Sequence, residues 1–291
     1  MEQLSTWDYL IIAAYIVGVV VLGFYFSRRQ KSLHEYFLAS GEMPWWAVAI
    51  SLHATLLSPV SFLGITGWIY FKDSRYFFGS AVFMMPVMFL SALLWVPVWG
   101  RLRLFSIYEY LERRYHQAVC VFAAALFPIS ILFWVGNGLV AASKAFSAVS
   151  NVDIMVCLVA IVAIGTTYTV LGGARAVIWT DVVQAVVFLV AYVVSALLIL
   201  DHFDWQPGQI HAIASSVTSE TTGYPPTALV SVEFDLAIEA TLWAIIFTRL
   251  TEIIGFGTNQ TFVQRLLATG SRRNMIKAML GKGGIDIFFF V

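Results

Sequence analysis

Residues 45–71 read WWAVAISLHATLLSPVSFLGITGWIYF, a run apolar enough and long enough to cross a bilayer. Near its middle stands Ser58-Pro59, followed by Ser61, Gly64 and Gly67. Pro59 has no backbone N–H, so in a continuous helix the carbonyl of Thr55 loses its partner, and the proline ring crowds that same carbonyl. In hydrocarbon an unpaired carbonyl costs several kcal/mol unless protein, water or an ion satisfies it. The run therefore predicts a helix broken at mid-membrane, either as a packed kink or as a binding site.

The rest of the composition agrees with a membrane setting. Of 291 residues, 60% are hydrophobic and 12% charged, more apolar surface than a soluble domain can bury, so the chain reads as an all-α polytopic membrane protein. Its formal net charge of zero suggests no nucleic-acid partner. Cys120 and Cys157 both fall in apolar runs and read as buried spectators. No basic segment precedes the first apolar run and no small-residue cleavage site follows it, so that run reads as a retained helix.

Spans of about 20 apolar residues are expected at 7–26, 45–71, 76–99, 118–148, 153–171, 178–200 and 235–256, with another beginning near 275. The connecting loops alternate in charge. Arg28, Arg29 and Lys31 follow the first span. Arg101, Arg103, Arg113 and Arg114 follow the third, Arg175 the fifth, and Arg265, Arg272, Arg273 and Lys277 the seventh. The other loops hold only Lys72 and Arg75. Because basic residues collect on the cytoplasmic side, this pattern predicts an N-terminus outside. The outside loop 201–234, with Pro207, Pro225, Pro226, Asp204 and Glu220, is expected to cap the external mouth. In the inside loop 100–117, Ser106 followed by Glu109 is a capping-box pattern and predicts a short amphipathic helix. Fewer apolar residues follow Lys277 than a crossing needs, which reads as a truncated chain.

Ionisable residues inside spans are costly and mark sites or buried pairs. Arg249 and Glu252 are three apart, on one helical face, and fit either a structural ion pair or a gate. Glu239 lies nearer the outer end and can face water, and Lys144 can snorkel to the interface. Asp181, where a basic loop turns into the sixth span, is explained equally well as a helix N-cap. His53 stands alone, with no nucleophile–base or metal constellation around it, so packing or a pocket edge is its reading and an enzyme is not expected.

Four segments carry a family resemblance. Tyr168–Gln184 (YTVLGGARAVIWTDVVQ) resembles the signature of the sodium:solute symporter family. Ser106–Tyr115 (SIYEYLERRY) is similar to that family's third inside loop. Gly257–Arg265 (GTNQTFVQR) resembles its motif after the seventh span, and Ser51–Gly64 its first broken helix. The resemblance implies an inverted-repeat transporter fold of five plus five helices with one extra N-terminal helix. In this chain 7–26 would be the extra helix, 45–200 the first repeat, and 235–291 an incomplete second repeat, all within one transmembrane domain.

The resemblance also implies roles. Backbone carbonyls of Ala54 and Leu57 match the family's sodium site, with the remaining hydroxyl ligands expected beyond residue 291. Asp181 matches the acid on the sodium path. Ser58 and Ser61 match substrate-contacting positions, and Ser80 a polar substrate-facing position on the next helix. Trp134 and Asn137 in span four are pocket-lining candidates, with ordinary helix packing as the competing reading; that span offers no Arg for an acidic solute. Pro59 departs from many members, which have an N–H there. The implied function is sodium-coupled import of a small polar solute: a sugar, a sugar acid such as sialic acid, or a carboxylate. The implied setting is a bacterial inner membrane. A membrane sensor domain of the same family and a non-transporting fragment are the alternatives.

Overall fold

The computed structural model describes residues 4–27, 32–58, 60–102, 104–229, 231 and 241–290. Pro59 and Glu239 lie outside the described residues, as do Arg28, Arg29, Lys31 and Arg103, so the readings placed on them carry no structural statement. Among the described residues the regular elements are helical, apart from a single bridge between Ser231 and Thr241.

Helix α1 (Thr6–Ser27) starts where Ser5 and Asp8 cap each other: the Ser5 backbone N–H donates to Asp8 Oδ2 at 2.8 Å, and the Asp8 N–H to Ser5 Oγ at 3.4 Å. Helix α2 (Leu33–Leu38) and a 3₁₀ turn (Ala39–Gly41) lead into α3 (Trp45–Ala54). The expected break follows. Helix α3 ends at Ala54, residues 55–58 form a non-helical link, and one wide π turn (Val60–Gly64) passes into α4 (Ile65–Phe71). The link ends on Ser58, where a following proline disfavours helical backbone.

Helices α5 (Arg75–Leu102), α6 (Ile107–Arg114) and α7 (Gln117–Ser150) match the expected third span, inside-loop helix and fourth span. At α6 the capping pattern works in a modified form. Ser106 Oγ accepts the Glu109 N–H at 3.4 Å, and Glu109 reaches one residue further back than the standard box, accepting the Phe105 N–H at 2.9 Å. The expected fifth and sixth spans form α8 (Ile154–His202), whose 49 residues are interrupted at Gly173, φ 59° and ψ −166°. A straight helix of that length would run roughly 73 Å, more than twice the hydrocarbon core of about 30 Å, so its two segments are read as separate spans. Only glycine adopts that backbone at little cost. Beyond them come α9 (Pro207–Ser216), α10 (Leu242–Thr258), α11 (Gln260–Leu267) and α12 (Arg272–Phe290).

The core lies where α3, α5, α10, α11 and α12 meet, with Val48, Leu52, Met84, Met88, Val263 and Met279 fully or nearly buried. Helix α1 packs along α8, and a methyl group on Gly23 would approach Tyr168 Cβ to 3.0 Å. Helix α10 runs through Gly255 and Gly257 without a break at either. Gly257 instead makes room for an indole, since a Cβ would sit 2.0 Å from Trp95 Cδ2, while Trp95 Nε1 donates to the Ile253 carbonyl at 2.7 Å.

The polar segment after α9 folds over the junction of α4 and α5. Ser219 Oγ donates to the Phe71 carbonyl at 2.7 Å, and the Ser74 N–H to the Pro226 carbonyl at 3.1 Å. Arg75, 2% exposed, forms a salt bridge with Asp73 at 3.0 Å and lies 3.7 Å over the Tyr224 ring. Burial pushes the Asp73 carboxyl up. Hydrogen bonds from Arg75 and Thr222 and the adjacent guanidinium charge outweigh burial and hold it below the usual carboxylate range.

Candidate functional site at the helix break

Two polar clusters flank α3, and each begins with a side chain that the helix turns inward. Ser51 is fully buried on the face toward α8 and α11. Its hydroxyl donates to Asp181 Oδ2 at 2.5 Å and accepts from Arg265 Nε at 2.8 Å. Arg265 Nη2 closes the triangle on Asp181 Oδ2 at 3.1 Å, and Nη1 donates to the Thr261 carbonyl at 3.1 Å. Asp181 therefore sits inside the helical segment as the paired acid of a buried cluster; the helix start at residue 154 is capped by Asp153 instead.

Sequence segments far apart converge on this cluster. Asn259 caps α11 by accepting the Thr261 N–H at 2.9 Å, which sets the helix carrying Arg265. Gln260 accepts the Ile107 N–H at 2.9 Å, and Gln264 donates to the Phe37 carbonyl at 2.9 Å. The four resembling segments are thereby joined: Ser51 from the broken helix, Asp181, the α6 start and the stretch 257–265.

Two residues further along α3, His53 is 3% exposed and faces α12. Its Nδ1 lies 2.6 Å from Asp286 Oδ1, and Asp286 Oδ2 accepts from Lys282 Nζ at 2.5 Å. Lys282 and Asp286 are 1% exposed, and the ammonium also lies 4.9 Å from the Phe256 ring centroid. This cluster escaped the sequence reading, although Lys and Asp four apart within an apolar stretch are the pattern of an intrahelical pair.

Beside the break is a cavity of about 230 Å³ whose lining includes Leu57, Ser61, Ser80, His53, Arg249 and Glu252. Arg249, 8% exposed, donates through Nη1 to Glu252 at 2.6 Å and through Nη2 to Ser80 Oγ at 3.2 Å, so the expected pair forms. Of the sequence-predicted site residues, Leu57, Ser61 and Ser80 line this cavity together. Ser58 does not line it. Its Oγ accepts the Ser61 N–H at 3.3 Å and so steadies the π turn, while Ser61 Oγ donates to the Leu56 carbonyl at 2.8 Å. Ala54 is buried next to the cavity wall, and its carbonyl accepts the Leu57 N–H at 3.0 Å with one lone pair, leaving a second. Asp181 belongs to the other cluster. Trp134 and Asn137 lie on an exposed face of α7 away from the cavity lining, and Lys144 is exposed on the same helix. Cys120 and Cys157 are free thiols, the latter buried.

A broken apolar helix, a cavity at the break with Ser61, Ser80, Arg249 and Glu252 in its wall, and ion pairs beside it form an arrangement that membrane transporters with broken helices use. A sequence profile of the sodium:solute symporter family matches residues 36–290, and the chain belongs to that family. It is 31% identical to the sodium/sialic acid symporter NanT of Aliivibrio fischeri, over 99% of this chain and 57% of that one. To the sodium/sialic acid symporter SiaT of Proteus mirabilis it is 28% identical, over 97% and 56%. The human sodium-coupled monocarboxylate transporter 2 is 27% identical, over 94% and 44%. Among solved structures, a Na⁺-coupled sialic acid symporter in a substrate-bound outward-open state superposes with a TM-score of 0.83 at 25% identity, covering 97% of this chain and 59% of that one. The chain spans about half the length of the curated relatives it matches.

Proposed function

We propose that the protein takes part in sodium-coupled symport of a small polar solute, a sugar acid such as sialic acid or a smaller carboxylate, by alternating access. The observation that carries this reading is the cavity built on the helix break, lined by Leu57, Ser61 and Ser80, in a chain of this family. Sodium is a hard cation that takes oxygen ligands, and the Ala54 and Leu57 carbonyls stand at the end of α3 where the helical ladder stops. Asp181 serves the sodium path from below, steadied by Ser51 and Arg265. Ser61 and Ser80 meet the solute, Ser58 shapes the turn that presents Ser61, and Trp134 and Asn137 on α7 complete the proposed set.

In this arrangement α1 is the extra helix, 45–200 the first five-helix repeat and 235–291 part of the second. The distribution of basic residues supports an N-terminus outside, with the segment 217–229 over the external end, and the bacterial relatives support an inner-membrane location. The test is uptake into proteoliposomes of radiolabelled sialic acid, lactate and glucose with an inward sodium gradient or with potassium. Uptake of at least one solute that collapses when sodium is replaced is the expected result; uptake equal in both salts would refute sodium coupling.

A further inference from the structure

At the end of α5 opposite the Asp73–Arg75 pair lies another cavity, of about 400 Å³, where α2, the link before α6 and the start of α12 come together. Of its lining, His34, Ser40 and Phe105 are exposed and mark the mouth, with the His34 ring edge-on to Phe105 at 5.6 Å. Leu38, Trp99, Leu104 and Met275 are more than nine-tenths buried and give it an apolar interior. Gly100 belongs to the same wall, and a Cβ there would sit 2.5 Å from Arg272 Cγ and 2.9 Å from its Nε. The exposed Arg272 side chain therefore lies against the cavity wall, in space that only a glycine leaves open.

The turn that carries Ser40 is held in an uncommon backbone. Ala39 and Ser40 have φ of 48° and 57°. Arg175 Nη2 pins the turn by donating to the Ala39 carbonyl at 3.2 Å, and the Met43 N–H donates to the Ala268 carbonyl at 3.0 Å. Charge in this region is one-sided. Arg272, its neighbour Arg273, and Arg101 beside Gly100 are exposed and have no ion-pair partner among the described residues. The acids of the same elements are engaged: Glu42 with Arg175, Asp286 with Lys282, and Glu35 with a partner of its own. Arg272, Ser40 and His34 thus offer N–H and O–H donors, beside an apolar interior, to an ion with a negative head and a hydrocarbon body.

The depth fits such an ion. The 28 residues of α5 make about 42 Å of helix, against a hydrocarbon core of about 30 Å. Its last turns, with Trp99 and Arg101, reach the headgroup layer, where tryptophan and basic residues collect.

We infer that this cavity binds one anionic phospholipid, its phosphate held by Arg272, Ser40 and His34 and the start of an acyl chain lying along Leu38, Trp99, Leu104 and Met275. A free phosphate would leave the apolar interior unused. The site lies apart from the cavity at the helix break, and the inference stands or falls independently of symport.

The experiment uses the full chain, delipidated in neutral detergent, with native mass spectrometry to count bound lipid and thermal shift to report its effect. Phosphatidylglycerol is compared with phosphatidylcholine of the same acyl chains and with glycerol 3-phosphate, which has the headgroup anion without the chains. One phosphatidylglycerol should bind, about 10-fold more tightly than phosphatidylcholine, the worth of a charge-assisted hydrogen bond. Glycerol 3-phosphate at equal concentration should not displace it. Arg272→Gln should abolish the preference and Arg272→Lys keep part of it. Arg114→Gln, on the exposed surface of α6 and outside the lining, should leave it intact. Equal binding of the two lipids would overturn the site, as would an Arg114→Gln loss as large as that of Arg272→Gln. Displacement by glycerol 3-phosphate as effective as by the lipid would overturn the lipid and leave a free phosphate ester as the ligand.

Discussion

The two clusters on α3 contain similar chemistry and are finished differently. Around Ser51, the hydroxyl, the acid and the Arg265 Nε, Nη1 and Nη2 atoms all have protein partners. Around the cavity, Arg249 and His53 each keep one buried nitrogen without a hydrogen-bond partner among the described residues. A buried polar atom without a partner costs about 1–3 kcal/mol, so a sealed cluster stabilises the fold while an unsealed one gives up part of that stability. The first ties α3, α8 and α11 together. The second belongs to side chains in the wall of the cavity beside the break.

The sharpest way to break this contrast is to remove the arginine from the sealed cluster. Arg265→Gln leaves Asp181 with Ser51 alone, and breaking a buried pair by deleting one partner typically costs about 3–5 kcal/mol. A large fall in thermal midpoint is expected in sodium and potassium alike, whichever solute is present. A variant that melts normally would show that the cluster is not structural. Asp181→Asn is milder, since the amide can still accept from Ser51 and Arg265. Its expected signature is a weaker sodium dependence of uptake, and unchanged sodium activation would remove Asp181 from the proposed sodium path.

Much of this was legible in the sequence because its causes are local. The proline at 59 predicted a break in the run 45–71, and α3 ends at Ala54 within that run. Ser106 and Glu109 announced a cap that forms. The Arg249–Glu252 pair followed from spacing along one helix. What stayed hidden depends on packing between distant elements. Nothing local tells that Ser51 meets a residue 214 positions away, or that Gly257 exists to admit Trp95 rather than to break a helix. Trp134 and Asn137, pocket-lining candidates in the sequence, lie on an exposed face of α7, a placement that local sequence does not reveal.

A third polar cluster, at the cap, sharpens the comparison in a different medium. Asp73 and Arg75 are as buried as the intramembrane pairs, yet they hold a loop rather than a helix bundle. The Asp73 carboxyl titrates below its ordinary value, near 4 in an unfolded chain. A lowered folded-state value gives stability that is fully present above the unfolded pKa and is lost as pH falls through the lower, folded one. The segment 217–229 should accordingly loosen only in acid, below about pH 4, seen as faster hydrogen exchange or proteolysis there. Asp73→Asn should loosen it at neutral pH by about 1–3 kcal/mol and abolish the acid dependence. Loosening of the unmodified cap between pH 7 and 5 would mean another group controls it.

The smallest effect is expected on α7, where nothing ties the polar side chain into either cluster. Asn137 is exposed on that helix, so Asn137→Ala should change stability by no more than about 0.5 kcal/mol. That near-silence is what makes the variant useful. If Asn137 meets the solute during transport, its loss must appear in uptake or affinity without a matching loss of thermal midpoint. If both stay unchanged, Asn137 leaves the proposed substrate set. The cavity bounded by α3, α4, α5, α8, α10 and α12 then supplies recognition without α7.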